Sequence, residues 1–291
     1  MDLTLQKYFA FVKTAELGSI SRAAQSLHYS QSGVSRMIGA LEEEWDVSLL
    51  ERGKNGTRLT SEGTRLLPLV RDVCREQERL LAEVDSLHGL QSGLIRIGAF
   101  ASVATHWLPG IIKDFQKSWP NISYELLVGN YTDVQNWILE GRVDCGFLRL
   151  PAKPGLKTIF LKRDELAAIL PENHRLAASS PLPLSQLCEE PFMLVEQGES
   201  SEILEIFERW QLTPRIHFRA WDDYTIMAMA ESELGVSILP KLILERCPYR
   251  IAIKSLDVPA YRDIAIAFKE GAHISAAVKK FLEHLQNVLQ E

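Results

Sequence analysis

The chain has 291 residues, a formal net charge of −6 at pH 7 and 46% hydrophobic residues, a length that suggests about two domains and an apolar content sufficient for packed cores. Its apolar runs are too short for a membrane span, and its N-terminus lacks the form of a signal peptide. The four cysteines are scattered without a CxxC or a nearby histidine, so we expect free thiols, no metal, no cofactor and a cytoplasmic protein. A zinc site or a redox switch is the alternative.

Three helices are predicted at the N-terminus. Apolar residues from Leu3 to Ala15 recur at helical spacing, and Gly18 ends this first helix. Ser19 is a good N-cap for a second helix, and Ser30 caps a third whose apolar residues, from Val34 to Leu41, recur three and four residues apart. Two capped helices joined by a tight turn predict a helix-turn-helix.

The apolar positions of the third helix point inward, which leaves a small, hydrogen-bonding face turned outward. Short side chains allow close approach to the major groove, while glutamine and arginine reach base edges or phosphates. The candidate DNA contacts on this helix are Ser30, Gln31, Ser32, Ser35 and Arg36. An amphipathic helix pair in an ordinary all-α domain would show the same pattern.

A basic hairpin is predicted after the third helix, because Asn55-Gly56 between short flanks favours a two-residue turn. A hairpin in this place makes the motif a winged helix-turn-helix and adds Arg52, Lys54 and Arg58 to the candidate DNA contacts. The N-terminal 65 residues balance eight basic against eight acidic side chains. DNA binding must therefore depend on where the charges lie, with the acidic run Glu42 to Asp46 turned away.

Residues across this module follow the pattern of one known family: Phe9 to Ala15, Gly18-Ser19, Ala23-Ala24, Leu27, Ser30-Gln31, Val34-Ser35, Ile38, Leu41-Glu42, Leu49, Arg52, Leu59-Thr60 and Gly63. On these residues the chain resembles the LysR-type transcriptional regulators. The resemblance implies that the outward face of the third helix meets DNA and that Arg52 and the wing reach the DNA backbone. Ser32 stands where proline is usual, Asp46 where glycine is usual and Leu50 where phenylalanine is usual. We expect Ser32 to alter base preference and the other two to affect packing.

A long helix capped by Thr60 is predicted to run to about Leu87, with Gly89 as its stop. Its heptad seam, which steps by four and three, comprises Leu66, Val70, Val73, Gln77, Leu80, Val84 and Leu87. This much apolar surface along one helix predicts pairing with a second copy of the chain, with Gln77 fixing the register. Packing against its own domain is the alternative. The resemblance likewise implies a linker helix that dimerises the protein.

Strands and helices alternate after Gln91-Ser92-Gly93, which predicts an α/β module. Predicted strands span residues 94–98, 123–128, 143–148, 156–161, 165–170, 192–195, 215–220, 236–239, 249–253 and 264–268. Predicted helices span residues 103–118, 133–140, 201–210, 224–231 and 274–289. The predicted fold class is therefore α/β, with an all-α-type winged helix-turn-helix as the N-terminal domain.

The resemblance extends more loosely through this module, on Ile97-Gly98, Leu108-Pro109, Phe115, Pro120, Gly141, Asp144, Gly146 and Gly235 to Pro240. It implies a two-lobed, periplasmic-binding-protein-like effector domain in which the chain crosses between lobes near residues 161–164 and 264–268. Glu233 stands where glycine is usual. The predicted domains are a winged helix-turn-helix at 1–60, a linker helix at 61–89 and an effector domain at 90–291, with lobe I at about 93–162 and 267–291 and lobe II at about 163–266.

A ligand is expected between the lobes, at strand ends where helices begin. Ser102 precedes one helix, and Tyr131 and Thr132 precede another, where backbone N–H groups favour an anion. Arg149 follows a strand and is placed to clamp a carboxylate with two hydrogen bonds. The second lobe is expected to close the site with Gln197, Ser200 and Ser201. The alternatives are plain helix caps at Ser102 and Thr132 and a structural ion pair at Arg149.

Catalytic motifs such as GxSxG, HExxH, the Walker-type phosphate loop and the Rossmann glycine fingerprint are missing from the sequence. We therefore expect no enzyme but a sequence-specific transcription regulator that responds to a small effector. An organic anion is the first hypothesis for the effector, and an uncharged metabolite or no ligand at all are the alternatives. The expected partners are double-stranded promoter DNA, the effector, a second copy in a homodimer, a homotetramer as the family implies, and RNA polymerase if the protein is an activator. A solute-binding or catalytic α/β protein with an N-terminal assembly domain is the alternative.

Overall fold

The computed structural model describes residues 3–53, 56–87, 93–196, 198, 201–272 and 274–290. The chain forms two compact units, the first comprising Met1–Ser92 with Glu140–Arg142 and the second comprising Gly93–Leu139 with Val143–Glu291. Among the described residues, no helix combines the length and the apolar character needed to cross a membrane. Within the same ranges, no group of three or more His, Cys, Asp or Glu side chains is arranged to hold a metal ion.

The first unit is a helical domain with a hairpin. Its elements are α1 (Leu3–Leu17), α2 (Ile20–Ser26), α3 (Gln31–Trp45), β1 (Leu50–Gly53), β2 (Gly56–Leu59) and α4 (Ser61–Leu87). Apolar side chains that recur three and four residues apart form its core, and those fully buried include Phe11, Ala23, Val34, Ile38 and Leu41. The predicted helix-turn-helix corresponds to α2 and α3, which Ser19 and Ser30 cap as expected.

The pairing of the hairpin strands differs by one residue from the prediction. Gly53 pairs with Gly56, so Gly56 belongs to β2 rather than to the turn, and Lys54 and Asn55 fall outside the described residues. Gly56 has a φ of +113°, and a Cβ atom on it would lie 2.8 Å from the carbonyl oxygen of Gly18. Glycine is therefore needed here because the strand passes close to the end of α1.

The predicted seam of α4 divides into a buried and an exposed part. Val70 is buried in the core of the first unit and Leu66 packs against that core, with α1 as the neighbouring helix. Val70 is therefore covered by its own domain rather than free to face a partner, because the first turns of α4 complete the helical domain, whereas the partner-facing role of the half-buried Leu66 stays a prediction. Gln77 is half-buried, and the side chain of Leu87 lies outside the described residues. The exposed apolar side chains of α4 are Leu69, Val73, Leu80, Leu81 and Val84.

The second unit alternates strands and helices, as predicted. Its elements are β3 (Gly93–Ala99), α5 (Ala101–His106), α6 (Leu108–Ser118), β4 (Ile122–Val128), α7 (Tyr131–Leu139), β5 (Cys145–Arg149), β6 (Leu156–Pro171), a 3₁₀ turn (Arg175–Ala178), α8 (Leu184–Leu187), β7 (Phe192–Val195), α9 (Glu202–Arg209), β8 (Ile216–Ala220), α10 (Asp223–Glu231), β9 (Ser237–Pro240), α11 (Lys241–Leu244), β10 (Ile251–Ser255), β11 (Tyr261–Lys269) and α12 (Ala276–Gln290). The single helix predicted over 103–118 is two helices, because Pro109 in the first turn of α6 starts a new helix.

The strands form two lobes that share β6. In lobe I the strand order is β4-β3-β5-β11-β6, with β3 parallel to β4 and β5, and β11 antiparallel to β5 and β6. In lobe II, β6 continues antiparallel between β9 and β10, and β7 pairs in parallel with β8. The two strands predicted at 156–161 and 165–170 are therefore one strand that runs through both lobes.

The chain passes between the lobes in β6 and again before β11. Leu156 to Glu165 pair with β11, whereas Leu166 to Pro171 pair with β9 and β10, which is close to the first predicted crossing. The second crossing is not at 264–268. All of β11 pairs within the lobe I sheet, and Ile264 to Phe268 are buried in it, so this apolar run is a core strand and the crossing precedes Tyr261.

Candidate DNA interface and ligand site

The start of α3 is built by Ser30. Its hydroxyl accepts a hydrogen bond from the Gly33 N–H at 3.0 Å and lies 3.1 Å from the hydroxyl of Ser32. Val34 and Ile38 anchor the opposite side of the helix in the core. The Ser30 side chain is thus occupied as an N-cap, which fixes where the outward face of α3 begins.

The predicted DNA-contacting residues of α3 share its outward face. Gln31, Ser32 and Arg36 are exposed and Ser35 is half-buried. On the hairpin, Arg58 is exposed and lies opposite Glu51 in the register. Arg52 lies in β1, but its side chain, like Lys54, falls outside the described residues.

The acidic residues at the end of α3 have structural roles. Glu42 Oε1 accepts hydrogen bonds from the N–H groups of Leu49 at 2.7 Å and Leu50 at 3.1 Å, so this carboxylate holds the start of the hairpin. Glu44 pairs with Lys7 at 2.9 Å. Asp46 caps the C-terminus in a left-handed conformation with a φ of +52°, a conformation that explains why glycine is usual there.

Between the lobes of the second unit, Arg262 is the centre of a buried hydrogen-bond network. Its Nε and Nη2 donate to Asp164 Oδ2 at 2.9 and 2.7 Å, and its Nη1 donates to the Tyr131 hydroxyl at 2.6 Å. Nη2 also donates to Ser102 Oγ at 2.8 Å. Arg262 and Asp164 are direct partners in the register of β11 and β6, and the guanidinium lies 4.8 Å from the ring centroid of Phe100. This network fixes the strands at which the chain changes lobes.

Side chains of α9 in lobe II contact lobe I at two places. The Tyr131 hydroxyl at the start of α7 donates to Glu202 Oε1 of α9 at 2.7 Å. Arg149 Nη1 at the end of β5 donates to Glu205 Oε1 of α9 at 3.0 Å, and its Nη2 donates to Glu205 Oε2. Arg149 therefore forms the structural ion pair that was the alternative to ligand binding, and its predicted contact with the carboxylate of a ligand stays a prediction.

The remaining predicted ligand residues lie around these contacts. Ser102 does not precede a helix but is the second residue of α5, whose N-cap is Phe100, and Ser102 is buried against Arg262. Tyr131 and Thr132 are the first residues of α7 rather than its preceding segment. Ser201 accepts a hydrogen bond from the Leu204 N–H and caps α9. Gln197 and Ser200 lie outside the described residues.

The N-terminus of α7 is already capped by side chains. Asn130 Oδ1 accepts from the Asp133 N–H at 2.9 Å, and Asp133 Oδ2 accepts from the Asn130 N–H at 3.1 Å. Gly198 also comes close, because a Cβ atom on it would lie 2.5 Å from Thr132 Oγ1. Any ligand at this helix start has to share it with these groups.

Charge and burial perturb the acids and bases of this site. Burial raises the pKa of Asp223 to about 6; Arg262 opposes this shift, and Glu202 and Asp222 add to it. Burial likewise raises the pKa of Tyr131. Burial opposes the charge on Arg262, but Tyr131, Asp164 and Glu202 outweigh it, so the pKa of this guanidinium is raised and it stays protonated.

Sequence reasoning missed the charged groups of this site. Glu202, Glu205 and Arg262 bind predicted residues, Asp164 binds Arg262, and Asp223 interacts electrostatically with Arg262. Arg262 could have been noticed in the sequence as a charged residue next to an apolar run, because Ile264 to Phe268 are buried. Its partner is 98 positions away, so the pair could not be recognised from spacing.

Comparisons with known proteins agree with this architecture. A family profile described as "LysR substrate binding domain" matches residues 88–290, and one described as "Bacterial regulatory helix-turn-helix protein, lysR family" matches residues 5–64. The uncharacterized HTH-type transcriptional regulator YvbU of Bacillus subtilis (strain 168) is 31% identical over 284 residues, which cover 97% of this chain and 97% of YvbU.

Solved structures share the fold at lower identity. Full-length CbnR complexed with its target DNA has a TM-score of 0.71 and 23% identity, covering 99% of both chains. The effector-binding domain of QuiR in complex with shikimate has a TM-score of 0.62 and 19% identity, covering 68% of this chain and 98% of that domain.

Proposed function

The chain belongs to the LysR family of bacterial helix-turn-helix regulators, and from this premise we propose that it reads operator DNA with the outward face of α3. It is a DNA-binding transcriptional regulator with an effector-binding domain. Because its target is promoter DNA, its proposed location is the cytoplasm. The same premise leads us to propose a homotetramer built from dimers, and contact with RNA polymerase if the protein is an activator.

The exposed face of α3 is the observation that carries the proposal. Gln31, Ser32 and Arg36 are exposed together, and Ser35 adds a second small hydroxyl beside them. Small side chains let the helix approach the major groove, and glutamine and arginine can each make paired hydrogen bonds to a base edge. Arg58 on the hairpin adds a positive charge suited to the DNA backbone.

A dimer is proposed through the exposed apolar side chains of α4. Leu69 is 62% exposed and Leu80 is 58% exposed, which is unusual for leucine along one helix unless a partner covers it. Val73, Leu81 and Val84 belong to the same helix and are also exposed. Two copies paired in this way would present two α3 helices to two half-sites.

An effector site is proposed in the cleft between the lobes, at Tyr131 and Arg149. QuiR is described in complex with shikimate, and the proposed effector of this chain is likewise a small organic anion. Arg149 supports this choice because its guanidinium already binds a carboxylate with two hydrogen bonds.

The proposal for α3 is tested on a duplex that the purified chain selects from random-sequence DNA. We expect Gln31→Ala and Arg36→Ala each to weaken binding by about tenfold at fixed salt, measured by fluorescence anisotropy, since a base contact is worth about 1–3 kcal/mol. Arg209→Ala, which removes an exposed arginine of α9, is the matched control and should bind as the wild type does. Unchanged affinity in both α3 variants would reject the assignment.

A further inference from the structure

We propose that α9 carries an internal competitor for the effector: Glu202 and Glu205 occupy the lobe I groups that bind a small dicarboxylate. This inference rests on the proposed ligand cleft and adds the chemistry by which the effector enters it. Without ligand, α9 joins the two lobes through its carboxylates. A dicarboxylate binds by replacing them at Arg149 and Tyr131.

The pair of Arg149 and Glu205 shows the geometry of a bound carboxylate. Two parallel hydrogen bonds join the guanidinium to both carboxylate oxygens, which is the arrangement that a free carboxylate would also adopt. The arginine side chain is 13% exposed and the glutamate side chain is 44% exposed. The cation is therefore sheltered while its partner faces solvent, so an incoming anion can take the place of Glu205.

Glu202 makes the corresponding contact one turn earlier on the same helix. It accepts the hydrogen bond of the Tyr131 hydroxyl, which in turn accepts one from Arg262. Residues three positions apart lie on one face of a helix. Glu202 and Glu205 thus present two neighbouring carboxylates to two donor groups of lobe I, as the two ends of a dicarboxylate would.

The charges of the site favour an anion that replaces the carboxylates of α9 over an anion that binds in addition to them. Two guanidinium groups, Arg149 and Arg262, face the carboxylates of Asp164, Glu202, Glu205 and Asp223. This leaves an excess of negative charge, so an anion that joined the set would be repelled. An anion that replaces the carboxylates of α9 leaves the balance of charge at Arg149 unchanged.

Exchange would also change the packing of lobe II against α7. Gly198 of lobe II packs against Thr132 of α7, the residue that follows Tyr131. Withdrawal of α9 removes the contacts of Glu202 and Glu205 with lobe I. The ligand would thereby favour a second arrangement of the lobes, because it binds only the state in which Arg149 is vacated.

The test is calorimetric titration of the full-length chain with succinate in the absence of DNA. Glu205→Gln keeps the size of the side chain and removes its charge. We expect this variant to bind succinate about tenfold more tightly than the wild type, because loss of a competitor raises the fraction of binding-competent protein. Glu208→Gln, at an exposed position of the same helix, is the control and should bind as the wild type does. Arg149→Ala should abolish binding in the Glu205→Gln background.

Equal or weaker binding of succinate by Glu205→Gln, or none at all, would overturn the proposal. Tighter binding of 1,4-diaminobutane by the wild type than by Glu205→Gln would also overturn it, because the carboxylates would then serve to attract a cation. Circular dichroism melts establish that each variant is folded. The titration contains no DNA, so a negative result with succinate does not bear on the assignment of α3. Conversely, if the chain does not bind DNA, the binding of succinate can still be measured.

Discussion

Glu233 occupies a backbone conformation that favours glycine, the residue usual at this position in LysR-type regulators. Its φ is +61°, where a Cβ atom is crowded by the following carbonyl group. We expect Glu233→Gly to raise the free energy of unfolding by about 0.5–1 kcal/mol in urea denaturation. Glu233→Ala retains the Cβ atom and is the control; an equal gain in that variant would contradict the backbone explanation.

Asp223 makes stability depend on pH. Burial raises its pKa from 3.8 to about 6, so the folded state binds this proton more tightly than the unfolded state does. Folding stability contributed by the protonated carboxyl is therefore present below pH 4 and is lost as pH rises toward 6, by at most about 3 kcal/mol.

Asp223→Asn cannot ionise, and we expect the stability of the wild type relative to this variant to fall between pH 4 and pH 6. Urea denaturation at several pH values measures the difference. Asp222→Asn changes the exposed neighbour and is the control. It keeps an oxygen for the Thr225 N–H and retains Asp223, so it should keep the pH dependence of the wild type. A parallel pH dependence of the wild type and Asp223→Asn would contradict the buried-charge account.

Local residue roles were predictable, whereas distant pairings were not. The caps at Ser30 and Thr60 follow from residue type and position, because each hydroxyl bonds a backbone N–H three residues ahead. Arg149 was predicted to bind a carboxylate, but Glu205 lies 56 positions away. Which carboxylate it binds depends on how the lobes close, and no local pattern encodes that.

At the scale of elements, α4 serves two purposes along its length. Its first turns pack into the helical domain through Val70 and Cys74, and later turns expose Leu80 and Val84. The heptad spacing alone could not separate these parts, since both have apolar residues at the same intervals. The difference arises from α1, which covers only the start of the helix.

We expect Leu80→Glu to weaken self-association by at least about tenfold, because a carboxylate at a paired apolar surface would lose its hydration. Sedimentation velocity at micromolar concentration measures this as a shift to a species of about half the mass of the wild-type assembly, since the proposed tetramer loses one of its two kinds of interface. Arg65→Glu, at an exposed position of the same helix, should leave the sedimentation profile unchanged. A Leu80→Glu variant that still sedimented as the wild type would place the dimer contact elsewhere.

Strand predictions failed where one strand serves both lobes. Residues 162–164 are polar or charged and separate two apolar runs, so the pattern predicted two strands. In the structure β6 continues through them, because Asp164 is paired with Arg262 inside the fold. The strand therefore continues where a break was predicted, because the charge of Asp164 is paired with Arg262.

In the whole molecule, alternation of strands and helices predicted the α/β unit, and the resemblance to LysR-type regulators implied its two lobes. The net charge of −6 gave no sign of DNA binding, because bulk charge averages over a unit that meets DNA and a larger one that binds the effector. Recognition is expected to depend on a few side chains of α3 and the hairpin rather than on a basic surface. Sequence-specific binding should therefore stand well above non-specific binding at physiological salt.

Selection of bound duplexes from random-sequence DNA by the purified full-length chain is the measurement that decides whether α3 reads DNA. We expect enrichment of a dyad-symmetric motif, with half-sites separated by whole turns of the double helix as a dimer requires. The selected motif should be lost when Gln31→Ala and Arg36→Ala are combined. Failure of the wild-type chain to enrich any sequence would contradict the claim that α3 reads DNA.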